Sequence, residues 1–309
     1  MSHWTAADIP PLEGRTAIVT GANSGLGLVT ALELARHGAS VTLACRDSSK
    51  GEAALATVRE QVTDADIELR ILDLASQESV RNFAEGWLAN HSAGVDLLVN
   101  NAGVMAVPRE LTVDGFERQL ATNHLGHFAL TGLLLPALTA RPGARVVSVS
   151  SNAHKFGRMS FEDLHGGKKY GSWRAYGQSK LANLLFSAEL QRRADAAGLA
   201  LLSIAAHPGT SRTSLVANGP ASGTSGMREK VTHTFGGMMS QPAEMGALPQ
   251  LYAATAPGVP GGVYIGPDGF MELKGHPRVV TANKAARDIE SAHRLWVVSE
   301  RLTGVSYLD

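Results

Sequence analysis

Thr16-Ala17-Ile18-Val19-Thr20, followed by Gly21-Ala22-Asn23-Ser24-Gly25-Leu26-Gly27, is the stretch that decides the fold. The first five residues form a short apolar run rich in β-branched side chains, which predicts a buried strand. Leu28, Leu32 and Ala35 then recur at helical spacing, so Leu26 to His37 reads as a helix, and Gly38 is its stop signal. Between the two lies a glycine turn. Glycines there permit a tight turn and let the backbone approach a pyrophosphate, while the helix N-terminus offers free N–H groups and a favourable dipole. The turn therefore predicts a dinucleotide site at Gly21, Asn23, Ser24, Gly25, Leu26 and Gly27. The plainer alternative is an ordinary strand-to-helix turn.

The same alternation continues outward. Val41 to Cys45 reads as a second strand and Ser49 to Val62 as a second helix. Ile67 to Leu72, Val95 to Asn100, Ala144 to Ser150 and Leu201 to Ala206 are further strands. Helices are expected at Gln77–Asn90, Thr112–Leu138 and Trp173–Ala197. Gly261 to Gly266 reads as a last strand with its turns, and Asn283 to Leu302 as a C-terminal helix. Strands alternating with helices imply a doubly wound parallel sheet, Rossmann-like, with helices on both faces. Residues 1–309 are read as one α/β domain. The segment from Ala217 to Gly237, rich in Gly, Ser and Thr, predicts a loop or substrate lid at about 210–240.

Composition excludes several classes. Apolar residues make up 44% of 309, which argues against disorder. Lys+Arg and Asp+Glu total 28 each, so there is no basic footprint for nucleic acid or anionic membrane. A single cysteine, Cys45, supports neither a disulfide framework nor a zinc cluster. No signal peptide is visible at Met1-Ser2-His3-Trp4, and Leu125 to Leu138 is too short for a membrane span. A cytoplasmic chain without a membrane span is expected. His124 and His127 have a spacing that could suit a metal, but their apolar surroundings point to packing or a satisfied hydrogen bond.

Further motifs follow the strands in order. Asp73-Leu74 follows the third and Asn100-Asn101-Ala102-Gly103 the fourth. Asn123 lies in the long helix beyond. Ser150-Ser151 ends the fifth strand, Tyr176-Gly177-Gln178-Ser179-Lys180 follows on a helix, and Pro208-Gly209 with Thr213 comes after the sixth. With the Gly-x-x-x-Gly-x-Gly turn, this series resembles the short-chain dehydrogenase/reductase family along most of the chain. The extended stretch between Ser151 and Tyr176 is similar to the retinol-dehydrogenase-like and protochlorophyllide-reductase-like branch. So are Ala44-Cys45-Arg46-Asp47, Asn123-His124-Leu125-Gly126-His127-Phe128 and Leu295-Trp296-Val297-Val298-Ser299-Glu300.

The resemblance implies an oxidoreductase. Tyr176 and Lys180, four apart, share one helix face. A nearby ammonium favours the phenolate of a tyrosine whose free pKa is about 10. The resemblance implies that Tyr176 is the general acid and base, and that Lys180 tunes it and binds the nicotinamide ribose. Ser151 would hold the substrate oxygen, and Asn123 would kink its helix and hold a relay water. Asp73, Leu74, Asn101, Ala102, Gly103, Pro208, Gly209 and Thr213 are the implied further cofactor contacts. A non-catalytic dinucleotide sensor on the same fold is the alternative, although it has no use for Tyr176 and Lys180.

An acidic residue at the end of the second strand would select NAD(H). Here the strand end is neutral and Arg46 follows, which predicts NADP(H) over NAD(H), since a guanidinium suits a 2′-phosphate. Asp47 is the counter-signal. Met105, Val107 and Phe156, with Leu215, Met227, Phe235, Met238 and Met239, predict an apolar rim and hence a small apolar carbonyl or alcohol substrate. The segment from His154 to Trp173 is expected to cover the helix faces through which such chains pair. That favours a monomer over a homodimer.

Overall fold

The structure, a computed structural model, describes residues 3–210 and 241–308. Thr213 and the expected lid therefore lie outside the described residues, apart from Thr210 itself. Eight strands form one sheet: β1 (Thr16–Thr20), β2 (Ser40–Cys45), β3 (Ile67–Ile71), β4 (Leu97–Asn100), β5 (Ala144–Val149), β6 (Leu201–Ala206), β7 (Tyr264–Pro267) and β8 (Pro277–Val280). Their order is β3-β2-β1-β4-β5-β6-β7-β8. All neighbours pair in parallel except β7 and β8. The chain winds one way from β1 and the other way from β4, so a crevice opens beyond the carboxyl ends of these two strands.

Strand alternation divides the core between two layers. Ala17 and Val19 point to one face, and Ile18 between them points to the other; all three are fully buried. On the first face pack α1 (Gly25–Arg36), α2 (Ser48–Gln61) and α8 (Ala243–Thr255). On the second pack α3 (Gln77–Asn90), α5 (Gly126–Leu133), α7 (Ser172–Ala196) and α9 (Ile289–Thr303). α4 (Arg118–Leu120) and α6 (Leu135–Thr139) are short pieces flanking α5.

Three sequence expectations need correction, and one helix, α8, was not expected at all. The helix expected from Thr112 begins at Arg118, because Leu111 pairs with Glu117 across a turn in which Gly115 adopts φ 81°. Gly261–Gly266 does not hold the last strand: antiparallel β8 follows, a short and partly exposed Pro-Arg-Val-Val run without alternation. The C-terminal helix starts only at Ile289, capped by the Asp288 carboxylate on Ser291 N; a 3₁₀ turn at Lys284–Arg287 precedes it. α8 carries Pro249 in its interior, which masked it in the sequence. Burial of Ala247, Leu248, Leu251, Ala253 and Ala254 overrides that local cost.

α9 and the 154–173 segment both cover α7: Met159 and Phe161 pack beside Leu181 and Leu185, and Ser160 N donates to Gln178 Oε1 at 2.9 Å. Leu295 and Trp296 are 2% and 1% exposed, Phe186 lies 6.0 Å from Trp296 ring to ring, and Phe128 lies 5.0 Å from it. One further feature borders the site. Gln241 N donates to Thr210 O at 2.8 Å, so the chain leaves the described structure at Thr210 and rejoins it alongside.

Candidate active site

Four loops meet beyond the carboxyl ends of β1, β4, β5 and β6. Parallel pairing sets Val19 beside Val99, which brings Thr20 next to the Asn100–Gly103 turn. The Thr20 hydroxyl accepts the N–H groups of Asn101 and Ala102, both at 2.9 Å, and Asn101 Nδ2 donates to Thr20 O at 2.8 Å. His127 Nε2 lies 2.9 Å from the same hydroxyl, and its Nδ1 lies 3.1 Å from Asn123 O. A carbonyl can only accept, so neutral His127 carries its proton on Nδ1 and takes the Thr20 proton on Nε2. Burial pushes the His127 pKa down to about 4 and that of His124 to about 3. These histidines are packed neutral groups; His124 Nε2 meets Ser299 Oγ at 2.8 Å. Among the described residues no cluster of three or more His, Cys, Asp or Glu could hold a metal.

The glycine turn fits a dinucleotide. Gly21 stands at φ 65° and Gly25 at φ 54°. A Cβ on Gly21 would come within 2.9 Å of Ala102 Cα, and one on Gly27 would collide with Gly21 O and Asn101 Nδ2. Side chains are thus excluded where the backbone must lie bare against a phosphate. Ser24 is the N-cap residue of α1, with Asn23 before it and Leu26 buried behind it. Asp73 Oδ1 accepts Ala75 N at 2.9 Å, which tightens the turn after β3. Leu74 O abuts Gly126, where a Cβ would collide.

At the end of β2, Arg46 is exposed and forms no ion pair among the described residues. Asp47 is engaged elsewhere: its carboxylate caps α2 on Lys50 N at 3.0 Å and lies 3.8 Å from Lys50 Nζ. The arginine is therefore not neutralised by the aspartate that follows it.

Asn123 sits in a π-helical turn, Ala121–Leu125, between α4 and α5. Its Oδ1 accepts Val104 N at 2.8 Å, and its Nδ2 donates to Val104 O at 2.9 Å and Ser179 Oγ at 2.8 Å. The kink expected at Asn123 is this π turn. The side chain ties the loop after β4 to α7.

α7 brings Tyr176 and Lys180 onto one buried face. Lys180 Nζ lies 5.9 Å from the Tyr176 ring centre and donates to Val149 O at 3.0 Å. Ser151 caps the turn after β5, its hydroxyl accepting Ala153 N at 3.2 Å, and it is the neighbour that favours the ionised form of the Tyr176 phenol. Ser150 Oγ instead donates to Lys180 O at 2.8 Å, a purely internal link. Burial raises the Tyr176 pKa to about 12, with Ser151 pulling the other way, and lowers that of Lys180 to about 8. The ammonium does not lower the phenol pKa as expected, because loss of hydration outweighs the favourable contribution of Ser151.

Pro208 and Gly209 follow β6. Gly209 has φ 65°, and a Cβ there would collide with Leu273 O. Pro208 O accepts Gln241 Nε2 at 2.8 Å.

Sequence reasoning missed two polar clusters. Tyr170 donates to Val107 O at 2.8 Å and to Glu117 Oε1 at 3.1 Å. Gln119 Nε2 in turn reaches the Tyr170 hydroxyl at 2.9 Å, and Gln119 Oε1 holds Ala106 N at 2.7 Å. Ala106 is fully buried at φ 50°, so this network fixes Met105 and Val107 at the site. The other cluster comprises His154, His207, Glu272 and Tyr264, around the Ser151 turn. Partners more than fifty residues apart leave no local signature in a sequence.

A family model described as short chain dehydrogenase matches residues 15–221. Human retinol dehydrogenase 13 is 41% identical over 297 residues, 95% of this chain and 86% of that one. Polyprenol dehydrogenase of Mus musculus is 42% identical over 303 residues, 96% and 86% respectively. A crystal structure of an uncharacterized protein from Mycobacterium paratuberculosis superposes with a TM-score of 0.82 at 47% identity, covering 99% of both chains. The chain belongs to the short-chain dehydrogenase family, in its retinol-dehydrogenase-like branch. It is by family an oxidoreductase acting on CH–OH groups.

Proposed function

We propose that the chain interconverts a small apolar carbonyl compound and its alcohol with NADP(H), Tyr176 serving as general acid and base. The observation that carries this is the convergence of the buried Tyr176 phenol, Ser151 and Lys180 Nζ, the last beside Gly103 in the turn after β4. NADP(H), when bound, supplies or takes the hydride. Gly21, Asn23, Ser24, Gly25, Leu26 and Gly27 would hold its pyrophosphate, and Arg46 its 2′-phosphate. Asp73, Leu74, Asn101, Ala102, Gly103, Pro208, Gly209 and Thr213 would complete the cofactor site.

Ser151 would hold the substrate oxygen while Tyr176 gives it a proton. A phenol held at about 12 is fully protonated near neutrality, which suits reduction. Lys180 would bind the ribose hydroxyls from its place on Val149 O. Asn123 keeps the π turn and the Val104 loop in place, and a relay water beside it belongs to the same reading.

Support for NADP(H) comes from the neutral end of β2 and from Arg46, which forms no ion pair among the described residues. A Beutenbergia cavernae protein described as an NAD(P)-dependent gluconate 5-dehydrogenase, 26% identical, was crystallised with NADP at low occupancy. Support for an apolar substrate comes from the relatives' names, retinol and polyprenol being apolar alcohols. Exposed Phe156 and Trp173 flank the site; Trp173 stands edge-on to Tyr176 at 6.1 Å. No helix among the described residues is long and apolar enough to cross a membrane. A cytoplasmic setting is part of the reading, and cell fractionation tests it.

The test is Tyr176→Phe, assayed with a carbonyl panel and NADPH. Turnover should fall about 10²–10⁴-fold with cofactor affinity kept. A variant that turns over like the wild type refutes the assignment.

A further inference from the structure

Between β7 and β8 two consecutive non-glycine residues, Met271 at φ 52° and Glu272 at φ 57°, stand in the left-handed region. Such a conformation is strained and persists only where its surroundings impose it. Glu272 supplies the hold. Its Oε2 lies 3.2 Å from Lys155 Nζ and 3.2 Å from His207 Nε2. Its carbonyl oxygen accepts Asn152 Nδ2 at 3.3 Å. The next carbonyl, Leu273 O, accepts Thr210 N at 2.7 Å.

One strained loop thus grips two others. Asn152 and Lys155 belong to the turn that begins at Ser151. His207 opens the turn that continues through Pro208 and Gly209. His207 is fully buried, and its Nδ1 accepts Gly209 N at 3.3 Å. A neutral ring that accepts on Nδ1 carries its proton on Nε2, the nitrogen facing Glu272. That 3.2 Å approach is bent away from hydrogen-bond alignment, so charge–dipole attraction carries it. His207 and Lys155 together pull the Glu272 pKa down to about 2, so the carboxylate is an anion under all working conditions. A polar chain runs from Gly209 N through the neutral His207 ring to the Glu272–Lys155 ion pair.

We propose that Glu272 is a positioning residue that locks the turn presenting Ser151 to the turn containing Pro208 and Gly209. The assignment rests on the reading of Ser151 as the oxygen-holding group and of Pro208–Gly209 as a cofactor contact. Its consequence is geometric: Glu272 sets the distance between the substrate oxygen and the face of the cofactor, without touching either. A displacement of about 1 Å between reacting groups costs on the order of 10²-fold in rate.

The experiment compares wild type with Glu272→Ala, Glu272→Gln, Lys155→Ala and His207→Asn. The first readout is hydrogen–deuterium exchange of peptides 150–157 and 205–210 in the folded, ligand-free protein. Glu272→Ala should accelerate both peptides, Lys155→Ala only the first and His207→Asn only the second. Glu272→Gln keeps the shape and loses the charge, and should fall between wild type and Glu272→Ala. Should Glu272→Ala fail to fold, the other three variants still decide. The second readout is turnover with NADPH and its 4-deuterated form. Glu272→Ala should lower kcat about 10²-fold and raise the deuterium isotope effect, which a mere loss of folded protein would not do. Unchanged exchange in both peptides, or a lower kcat with an unaltered isotope effect, overturns the proposal. A wild type that turns over no carbonyl would refute the functional reading alone, since exchange judges the lock independently.

Discussion

Lys180 Nζ donates to Val149 O across 3.0 Å, and the same oxygen accepts Asn183 Nδ2 at 3.0 Å. The ammonium is thus satisfied by a neutral carbonyl that it shares. It is 4% exposed, and its pKa falls from 10.5 to about 8. Between those values the unfolded chain binds the proton that the folded chain has released, so stability rises with pH across this window. Below about pH 8 the full cost is present, about 3 kcal/mol at about 1.4 kcal/mol per unit. Lys180→Met should therefore stabilise the fold at pH 7 and lose that advantage above pH 10.5. Urea unfolding at the two pH values measures it, and a destabilised variant at pH 7 contradicts it. Function here is held at the expense of stability.

The sequence made the scaffold legible wherever periodicity was strong. β1, the glycine turn and α1 agree with their expectation to within a residue at each end, as do α3 and β6. Strand-end motifs were legible because the topology gathers such ends at one edge. Thr16–Thr20 alone points to Asn101 through parallel pairing. What escaped was long-range or locally contradictory. α8 was hidden by Pro249, and β8 by its exposure. Glu117 and Tyr170 find each other across 53 positions. His154 and His207, given no role from sequence, are both fully buried around the Ser151 turn.

Arg46→Ala tests cofactor choice. The guanidinium is exposed, and Asp47 is committed to the start of α2. A charge-assisted bond to phosphate contributes roughly 1.5–3 kcal/mol, about 10- to 100-fold in affinity. The wild type should bind NADPH more tightly than NADH by that factor, and Arg46→Ala should lose most of the difference. Calorimetric titration of both cofactors on both proteins gives the numbers. Equal affinities in the wild type would remove Arg46 from the site.

Acid should loosen the join between β1 and β4. The pKa of His127 falls from 6.5 to about 4, so the unfolded chain takes up its proton first as pH drops. The contribution is complete above pH 6.5 and is lost as pH falls towards 4. Protonation would also place a second donor against the Thr20 hydroxyl that holds Asn101 and Ala102. Unfolding free energy measured from pH 7 to 4.5 should fall, and His127→Gln should flatten the slope by about 1.4 kcal/mol per pH unit. An unaltered slope would show that another group controls the acid limb.

Assembly is the remaining expectation. α9 buries Trp296 and Leu295 against α7 and α5, so the apolar face of α7 is already occupied from within the chain. Light scattering should report a monomer at low and high concentration. Removal of 289–308 would bare Leu185 and Phe186 and should drive association. A stable tetramer of the full chain would count against this.

The bridge between Thr210 and Gln241 also bears on how the chain can be redesigned. Closing a loop costs entropy that grows only slowly, about 0.6 kcal/mol per doubling of length. Here the two ends are already pinned to each other, with Thr210 also bonded to Leu273 and Gln241 to Pro208 and Gly275. The scaffold on either side is therefore only weakly sensitive to the length of chain between them. Thr210 and Gln241 thus form a grafting point, where a designer could vary the length of chain between them while β6, α8 and the Tyr176 helix keep their register.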